Sequence, residues 1–310
     1  MVANMMAVFG ALCYYVLMAC YVGWAATLHV PQDQPTIQKA IDAAQAGDTV
    51  LIASGTYNEA ITLRSGLTLR GMGQSTQISD IIRLENVEGV ELSNLQVKGT
   101  GQDSHFGIFC LNAEAGIHKV TVRAFHHGIN AQSSRLTVHA TKVVGSFNVG
   151  IVLAQDTEAM LEENEVFDNT TGIIIGSTQR PVVLRRNHVQ GNQTGIACHD
   201  AVPRLRENVV AANSVGMQIE NATPDLGTAA DPGKNVFINN KQMAIQYEER
   251  TPLDALMNWW GQATGPRAGQ IMGRRVRVNP WLRTDPGVPL AVQHPLRYFA
   301  IWGMLKQNLF

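Results

Sequence analysis

Apolar and polar residues alternate over most of the chain, and a recurring glycine organises the alternation. The dipeptide Gly-Ile, or Gly-Met in its last copy, returns at steps of 21, 22, 22, 23 and 21 residues. Its copies begin at Gly107, Gly128, Gly150, Gly172, Gly195 and Gly216. After each glycine the apolar positions recur with a period of two, as in Ile108/Cys110 and Ile173/Ile175, which predicts short strands with one buried face.

The length of the repeat indicates its architecture. A fixed period of this size predicts stacked supersecondary units. Each unit has room for two or three short strands and shows no helical pattern, which predicts one turn of a parallel β-solenoid, with turns about 4.8 Å apart. A leucine-rich repeat would need regularly spaced leucines, and a propeller blade would need about 40 residues.

Paired asparagines mark a second repeating feature. Three matching copies carry two asparagines each, and a fourth, interrupted copy carries the last pair: Asn164/Asn169, Asn187/Asn192, Asn208/Asn213 and Asn235/Asn240. Asparagine tolerates the left-handed backbone conformation and bonds to neighbouring backbone, so these residues are predicted at tight corners with their amides stacked. The repeat glycine is predicted to supply a positive φ at another corner.

The segments outside the repeats are predicted to close the two ends. A helical face lies between Thr36, a predicted N-cap, and Gly47, a predicted stop. Its apolar residues are Ile37, Ala40, Ile41 and Ala44. This short helix would cover the open edge of the first turn. The pair Trp259-Trp260 and the apolar residues 298–305 are predicted to seal the other end, with tryptophan stacking on a sugar as the alternative.

Segments at both ends of the repeats resemble a known superfamily. They are residues 30–31, 36–44, 47–50, 55–59 and 69–73, then 225–227, 233–237, 258–261, 265–266 and 280–282. With the repeats between them, residues 27–283 resemble the right-handed parallel β-helix proteins of the pectin lyase-like superfamily, of the carbohydrate-binding and sugar-hydrolase type. The resemblance implies an all-β fold, a single-stranded right-handed parallel β-helix with a short N-terminal capping helix. Residues 1–26 would precede it as a signal peptide or anchor, and residues 284–310 would follow as a tail or cap.

The enzyme motifs of this superfamily are mostly missing. Residues 55–59, Gly-Thr-Tyr-Asn-Glu, resemble the Gly-x-Tyr-x-Glu motif of pectin methylesterases, and residues 155–157, Gln-Asp-Thr, resemble a fragment of their active site. Their second aspartate motif and Leu-Gly-Arg-Pro-Trp segment are absent, as are the polygalacturonase motifs and the Trp-Ile-Asp-His motif of pectate lyases. Catalysis stays open, and an enzyme here would be a polysaccharide lyase, glycoside hydrolase or epimerase.

Three functions follow from the resemblance. The first is an exported β-helix that binds polysaccharide or a cell-envelope partner along its long face. The second is a polysaccharide-active enzyme with a divergent site. The third is a periplasmic assembly factor similar to the copper-site maturation relatives of this fold, although methionine- and histidine-rich metal motifs are absent. No cofactor is required by the sequence, family analogy allows Ca²⁺, and a monomer is expected.

One polar patch is predicted where strands end. Asp156 follows one strand, His199-Asp200 follow a strand two turns later, and Glu220-Asn221 follow the next. Stacking would bring His199 beside Glu220, and carboxylates near an imidazole suit general acid–base catalysis or metal binding. Asp156, His199, Asp200 and Glu220 are therefore the candidate catalytic residues, and a polar corner beside a loop is the alternative.

Charged residues share repeat positions elsewhere. Glu162, Arg185 and Arg206 occupy one position, and Glu163, Arg186 and Glu207 occupy the next. These ladders predict cross-strand ion pairs on the surface. Their functional alternative is a basic groove for an acidic polysaccharide, formed by Arg185, Arg186 and Arg206.

The cysteines and histidines give further predictions. Cys110 and Cys198 share one repeat position four turns apart, so stacking would separate them by roughly 19 Å, too far for a disulfide. They are predicted to be free and buried. His126-His127 is predicted to be an exposed pair whose side chains point to opposite faces. Without a third spaced ligand it is a weak metal signal.

The composition and the N-terminal segment predict an exported, folded protein. The chain has 45% hydrophobic and 16% charged residues and a net charge of −1, without a basic run, which favours a folded protein that does not bind nucleic acid. Residues 1–26 carry no charge, and residues 7–22 are largely apolar, which favours a cleaved signal peptide. Lipidation at Cys20 and retention as a membrane anchor are the alternatives.

Overall fold

The computed structural model describes residues 25–101 and 104–287. The chain winds through three parallel sheets, visiting sheets A, B and C in turn, and every strand pairs in parallel with its counterpart one turn away. This confirms the predicted right-handed parallel β-helix. Among the described residues, no helix is long and apolar enough to cross a membrane.

The strands are short and follow one another in regular order. Sheet A contains β1 (Thr27–Val30), β2 (Thr49–Ile52), β5 (Thr68–Gly71), β8 (Val90–Ser93), β11 (Glu114–His118), β14 (Arg135–His139), β17 (Glu158–Glu162), β20 (Val182–Arg185) and β23 (Arg204–Arg206). Sheet B contains β3 (Gly55–Tyr57), β6 (Thr76–Ile78), β9 (Gln96–Lys98), β12 (Thr121–Arg123), β15 (Lys142–Val144), β18 (Glu165–Phe167), β21 (His188–Gln190), β24 (Val209–Ala211) and β26 (Val236–Ile238). Sheet C contains β4 (Ile61–Thr62), β7 (Ile82–Glu85), β10 (Phe106–Leu111), β13 (His127–Gln132), β16 (Val149–Ala154), β19 (Thr171–Thr178), β22 (Thr194–Ala201), β25 (Val215–Glu220), β27 (Met243–Tyr247) and β29 (Ile271–Met272). The small strands β28 (Leu253–Asp254) and β30 (Val276–Arg277) pair separately.

The core consists of apolar rungs that stack from turn to turn. In sheet C the residue after the repeat glycine forms one continuous ladder, in which Ile108, Ile129 and Ile151 are successive rungs. Cys110 and Cys198 belong to the next inward ladder, four turns apart. Both are free and fully buried, as predicted, and burial raises the pKa of each thiol to about 12.

The repeat glycine is required for a different reason from the one predicted. Gly128 does not have a positive φ, so the expectation of a left-handed corner is wrong. A Cβ atom at Gly128 would lie 2.6 Å from the carbonyl oxygen of Gly150 and 2.5 Å from Cγ1 of Val143. The next turn therefore approaches the backbone too closely for any side chain.

The asparagines form two buried hydrogen-bonded ladders. Asn187 donates from Nδ2 to Leu161 O (2.8 Å) and to Oδ1 of Asn208 (3.0 Å), and its own Oδ1 accepts from Asn164. The stacked amides confirm that part of the prediction. The left-handed residue, however, is the one before each ladder asparagine, such as Arg186 with φ 54°. The asparagine side chain therefore hydrogen-bonds to backbone groups that the corner leaves unpaired. The strained left-handed conformation belongs to the residue before it.

A short helix closes the N-terminal end as predicted. Helix α1 (Ile37–Ala43) begins after Thr36, whose side chain accepts from Lys39 N at 3.3 Å. Glu59 also caps its first turn, accepting from Ile37 N at 2.9 Å. The helix stops at Ala44, so Gly47 lies in the following turn and is not the stop.

At the C-terminal end, Trp260 is fully buried and stacks on Phe237 with ring centroids 5.1 Å apart. This favours end closure over sugar stacking for that residue. Residues 1–24, which include Cys20 and most of the predicted signal segment, and the apolar residues 298–305 lie outside the described residues.

Candidate functional site

The predicted patch at the end of sheet C is partly assembled. His199 on β22 and Glu220 on β25 are register partners, and His199 Nδ1 lies 3.3 Å from Glu220 Oε2. Asn221 donates a hydrogen bond to Asp200. Asp156 is not part of this cluster, because its backbone N–H bonds to Ser177 on the turn that separates it from Asp200.

The side chains of this patch face solvent. Those of His199 and Glu220 are 38% and 58% exposed, and Gln218 Nε2 donates to Glu220 Oε1 at 2.7 Å. The arrangement offers an imidazole–carboxylate pair on an open surface. The catalytic assignment of Asp156, His199, Asp200 and Glu220 therefore stays a prediction, with the geometry favouring a polar corner.

Two of the candidate arginines are neutralised by neighbouring carboxylates. The register Glu162–Arg185–Arg206 is as predicted. Arg185 lies between Glu162 (3.7 Å) and Glu207 (3.6 Å). Arg186 contacts Glu162 at 2.6 Å and Glu163 at 3.1 Å.

Arg206 is held even more firmly. Its side chain is only 10% exposed and bonds to Asp225 at 2.6 Å and to Asp231. The hydrogen bond from Arg206 is the main cause that lowers the pKa of Asp231 to about 2. An anionic ligand would have to compete with these carboxylates, so the geometry disfavours a basic groove of Arg185, Arg186 and Arg206.

A group of three histidines lies at the corner that leads into sheet C. His105 precedes β10, His126 precedes β13, and His127 is the first residue of β13. The ring centroids of His105 and His126 are 6.4 Å apart, and those of His126 and His127 are 4.7 Å apart. The expectation that His126 and His127 point to opposite faces is wrong, because His126 lies in the corner rather than in the strand.

Backbone hydrogen bonds between turns fix this group, which we call the histidine corner. His126 N donates to Ser104 O and His127 N donates to His105 O, both at 2.8 Å. The turn above is held in the same way, because Asn148 N donates to His126 O at 3.0 Å. The positions of the three Cα atoms are thus set by the sheet, and only the side chains can rotate.

Two phenylalanines form one wall of the histidine corner. Phe106 is the register partner of His127, and their rings stack with centroids 5.5 Å apart and an interplanar angle of 24°. Phe109 packs against Phe106 at 5.1 Å. His105 also lies within 6.4 Å of the Phe106 ring.

The surroundings of His127 favour the neutral form of its imidazole. Burial is the main cause that lowers the pKa of His127 below its usual value of 6.5, and the nearby His126 and His105 lower it further. Its Nδ1 atom is buried without a hydrogen-bond partner. A neutral imidazole with an unpartnered ring nitrogen is the form in which histidine binds metals.

The histidine corner is not a closed metal site as it stands. Within residues 25–101 and 104–287, no three His, Cys, Asp or Glu side chains already converge on a common metal position. Gln102 and Asp103, next to His105 in sequence, lie outside the described residues.

A signal for this group was present in the sequence. His105 and His126 each lie two residues before a repeat glycine, Gly107 and Gly128. The register that placed the cysteines therefore also places His105 directly beside His126.

Solved structures share the fold with low sequence identity. The structure of pectate lyase Pel9A is similar with a TM-score of 0.59 and 10% identity, over 83% of this chain and 76% of that one. The A-module of mannuronan C-5 epimerase AlgE4 from Azotobacter vinelandii has a TM-score of 0.50 and 16% identity, over 78% of this chain and 92% of that one. These similarities show the fold alone. A search of curated proteins found no significant match.

A protein-family comparison is more specific. The model of NosD, described as a periplasmic copper-binding protein, matches residues 42–273. This match spans more than half of the chain and includes the histidine corner. The chain therefore belongs to the NosD family of periplasmic copper-binding proteins.

Proposed function

We propose that the protein binds a copper ion in the periplasm through His105, His126 and His127. The observation that carries the proposal is the packing of three imidazoles on two adjacent turns, with His127 Nδ1 buried and unpartnered. The family to which the chain belongs supports copper as the metal. The ion would be the cargo of the protein, which agrees with a role as a periplasmic assembly factor.

The chemistry of the residues supports copper, and two of the three ring separations are compatible with shared coordination. Imidazole nitrogen is a suitable ligand for copper. A metal–nitrogen distance of about 2 Å places the centroids of two imidazole ligands roughly 5–6.5 Å apart. The observed centroid distances of 6.4 and 4.7 Å lie close to this range. Side-chain rotation on a fixed backbone would therefore bring the nitrogens together.

The test is a copper titration of the purified exported protein against a chromophoric competitor. The variant carrying His105→Asn, His126→Asn and His127→Asn should lose affinity by on the order of 100-fold or more, because ligand loss costs at least as much as loss of an outer-shell partner. The matched control is His118→Asn with His139→Asn, which changes histidines on adjacent turns that already pair with Glu91 and Glu163. An unchanged copper affinity in the triple variant would disprove the proposal.

A second candidate function is binding of a linear polysaccharide or another cell-envelope partner along sheet C. One outward ladder of this sheet runs through Phe109, Asn130, Val152 and Ile174, and its three apolar residues are part-exposed. They contribute nothing to the core inside the solenoid, and apolar rows on a surface often mark binding sites. The solved relatives named above are polysaccharide-active by name, although they support only the fold.

A glycan panel tests this second function and its catalytic form. Retention that is lost in Ile174→Asp, without new reducing ends or unsaturated products, would support binding. Cleavage abolished by Asp200→Asn would instead support an enzyme with the predicted patch as its site. Absence of retention and of products across acidic and neutral glycans would count against both.

A further inference from the structure

A cavity of about 300 Å³ opens at the corner between sheet A and sheet B, and we call it the corner cavity. Three of its lining residues, Lys119, Ala140 and Glu163, occupy the same left-handed position on three successive turns. Two turns separate Lys119 from Glu163, so their Cα atoms lie about 10 Å apart. The buried residues Val120 and Thr141 line the base. The gap arises because Ala140, between the two longer side chains, has only a methyl group.

Polar residues from two other positions complete the lining. Thr121, Lys142 and Glu165 are register partners at the beginning of three adjacent strands of sheet B. Gln74 reaches the cavity from the loop between β5 and β6. The volume is at the lower end of the range of small-molecule sites. The corner cavity therefore has room for one small ligand and a wall of hydrogen-bonding groups.

Lys119 provides a positive charge that the protein does not neutralise. Lys142 Nζ lies 2.9 Å from Glu165 Oε2, and Arg186 lies 3.1 Å from Glu163. Within residues 25–101 and 104–287, the ammonium group of Lys119 forms no ion pair with a carboxylate. An anion bound to Lys119 would not have to displace a carboxylate of the protein, in contrast to an anion bound to the paired arginines of sheet A.

The two glutamates on the opposite side of the cavity can still accept hydrogen bonds. A carboxylate has about four lone-pair positions, and the contacts with Lys142 and Arg186 use only some of those on Glu165 and Glu163. Because their charges are already paired, these carboxylates favour neutral hydroxyl donors. One side of the cavity thus favours an anionic group, and the opposite side favours hydroxyl groups.

We propose that the corner cavity binds a small polyhydroxylated carboxylic acid, that is, a sugar acid. Its carboxylate would bind to Lys119, and its hydroxyl groups would donate to Glu163 and Glu165. A free sugar acid and one unit of an acidic polysaccharide share this chemistry. The site lies at a different corner of the solenoid from the three histidines, so the proposal goes beyond copper binding and does not depend on it.

The experiment is an NMR titration of the full exported chain with D-glucuronate, in which the backbone amide signals of Ala140 and Thr141 report binding. D-Glucose lacks the carboxylate, acetate lacks the hydroxyl groups, and D-glucosamine carries a positive charge. Each of these three should bind at least about tenfold more weakly than glucuronate, because each loses a charged or hydroxyl contact. Acetate or glucose binding as tightly as glucuronate would overturn the proposal.

The first variant removes the positive charge. Lys119→Met should weaken glucuronate binding about tenfold, because it removes a hydrogen bond between charged groups. The matched control is Lys234→Met, since Lys234 is an exposed lysine in the same left-handed corner position, before the ladder residue Asn235, and does not line the cavity. Its affinity should equal that of the wild type. Equal losses in the two variants would show a general effect of net charge and overturn the proposal.

The second variant fills the cavity without changing its charge. Ala140→Leu should weaken glucuronate binding more than about tenfold, because the larger side chain occupies the space of the ligand. The matched control is Ala212→Leu, since Ala212 is also left-handed and exposed but lies outside the cavity. It should bind glucuronate as the wild type does. Full affinity in Ala140→Leu would overturn the assignment to this cavity.

Two further measurements complete the test. A linear glucuronate trimer that binds more tightly than the monomer would identify one unit of a chain as the ligand, and weaker or equal binding would identify the free sugar acid. The triple histidine variant should bind glucuronate as the wild type does, so failure of copper binding and failure of this proposal are distinguishable. Absence of saturable glucuronate binding in the wild type would overturn the proposal.

Discussion

The histidine corner and the outer face of sheet A contain the same residue type in very different surroundings. On sheet A, His118 and His139 stack on adjacent turns with ring centroids 6.2 Å apart, and each bonds to a glutamate. At the histidine corner the rings are equally close, yet His127 Nδ1 has no partner. Stacking in a solenoid therefore brings like residues together at any position, and the neighbouring side chains decide whether they are free to bind a ligand.

The arginines follow the same division. On sheet A, Arg135 lies 3.3 Å from both Glu114 and Glu158, and Arg206 bonds to Asp225 and Asp231. These arginines are paired within the protein, which gives them a structural role. At the histidine corner, in contrast, the buried Nδ1 atom of His127 has no hydrogen-bond partner and is available to a ligand.

The largest expected effect comes from disrupting the stacking of turns, which places histidines side by side in both regions. Gly128→Ala should lower the free energy of unfolding by about 2–3 kcal/mol, because the added methyl group collides with the Gly150 carbonyl oxygen. Since Gly128 follows His127 directly, copper affinity should fall as well. Urea unfolding and the competitor titration measure the two effects.

Gly176→Ala is the matched control for this substitution. Gly176 also lies in sheet C, but a Cβ atom there would lie 3.7 Å from the nearest atom, the carbonyl oxygen of His199. The free energy of unfolding should change by less than about 0.5 kcal/mol. Equal destabilisation by both substitutions would contradict the steric explanation.

A second, smaller effect on stability is expected from arginine substitutions in sheet A, which should leave the histidine corner unaffected. Arg206→Met should destabilise the fold by about 2 kcal/mol, because it leaves Asp225 and Asp231 facing each other without their buried partner. Arg135→Met on the same face should cost much less, because Arg135 is 57% exposed and its ion pairs are screened by solvent. Both variants should keep the copper affinity of the wild type, and a loss of affinity in either would show that sheet A is coupled to the histidine corner.

The smallest effect is a pH dependence specific to His127. Because burial lowers the pKa of His127, the unfolded chain takes up its proton near pH 6.5 while the folded chain does not. The free energy of unfolding of the metal-free protein should therefore fall as the pH drops below about 6.5, and be unaffected by this group above that pH. His127→Gln should make this fall shallower. An identical pH profile in wild type and variant would mean that His127 titrates normally.

The sequence was sufficient for the fold because the repeat itself encodes the register. The spacing of the repeat glycines placed Cys110 and Cys198 in one buried ladder and aligned Arg185 with Glu162, and the structure has both. The roles of the glycines and asparagines were harder to predict. They depend on how closely the next turn approaches and on which corner residue becomes left-handed, and neither is visible in one repeat taken alone.

The candidate site was less predictable for a related reason. The register needed to place His105 beside His126 was available, but corner residues do not follow the alternation that holds within strands. The pairing of Arg206 with Asp231 depends on the loop after β25, where the repeat is interrupted. Burial of His127 Nδ1 depends on side-chain packing that no sequence spacing reports.

The asparagine ladders have a consequence for the insertion or removal of whole turns of the solenoid. Between Asn164 and Asn240 each turn presents the same amides to the next, so an additional asparagine-bearing turn inserted there would find its hydrogen-bond partners already in place at both of its faces. Insertion or removal of one whole turn would shift the C-terminal closure relative to the histidine corner by about 4.8 Å. The distance between the histidine corner and the C-terminal closure can thus change by whole turns while the residues of both regions stay the same.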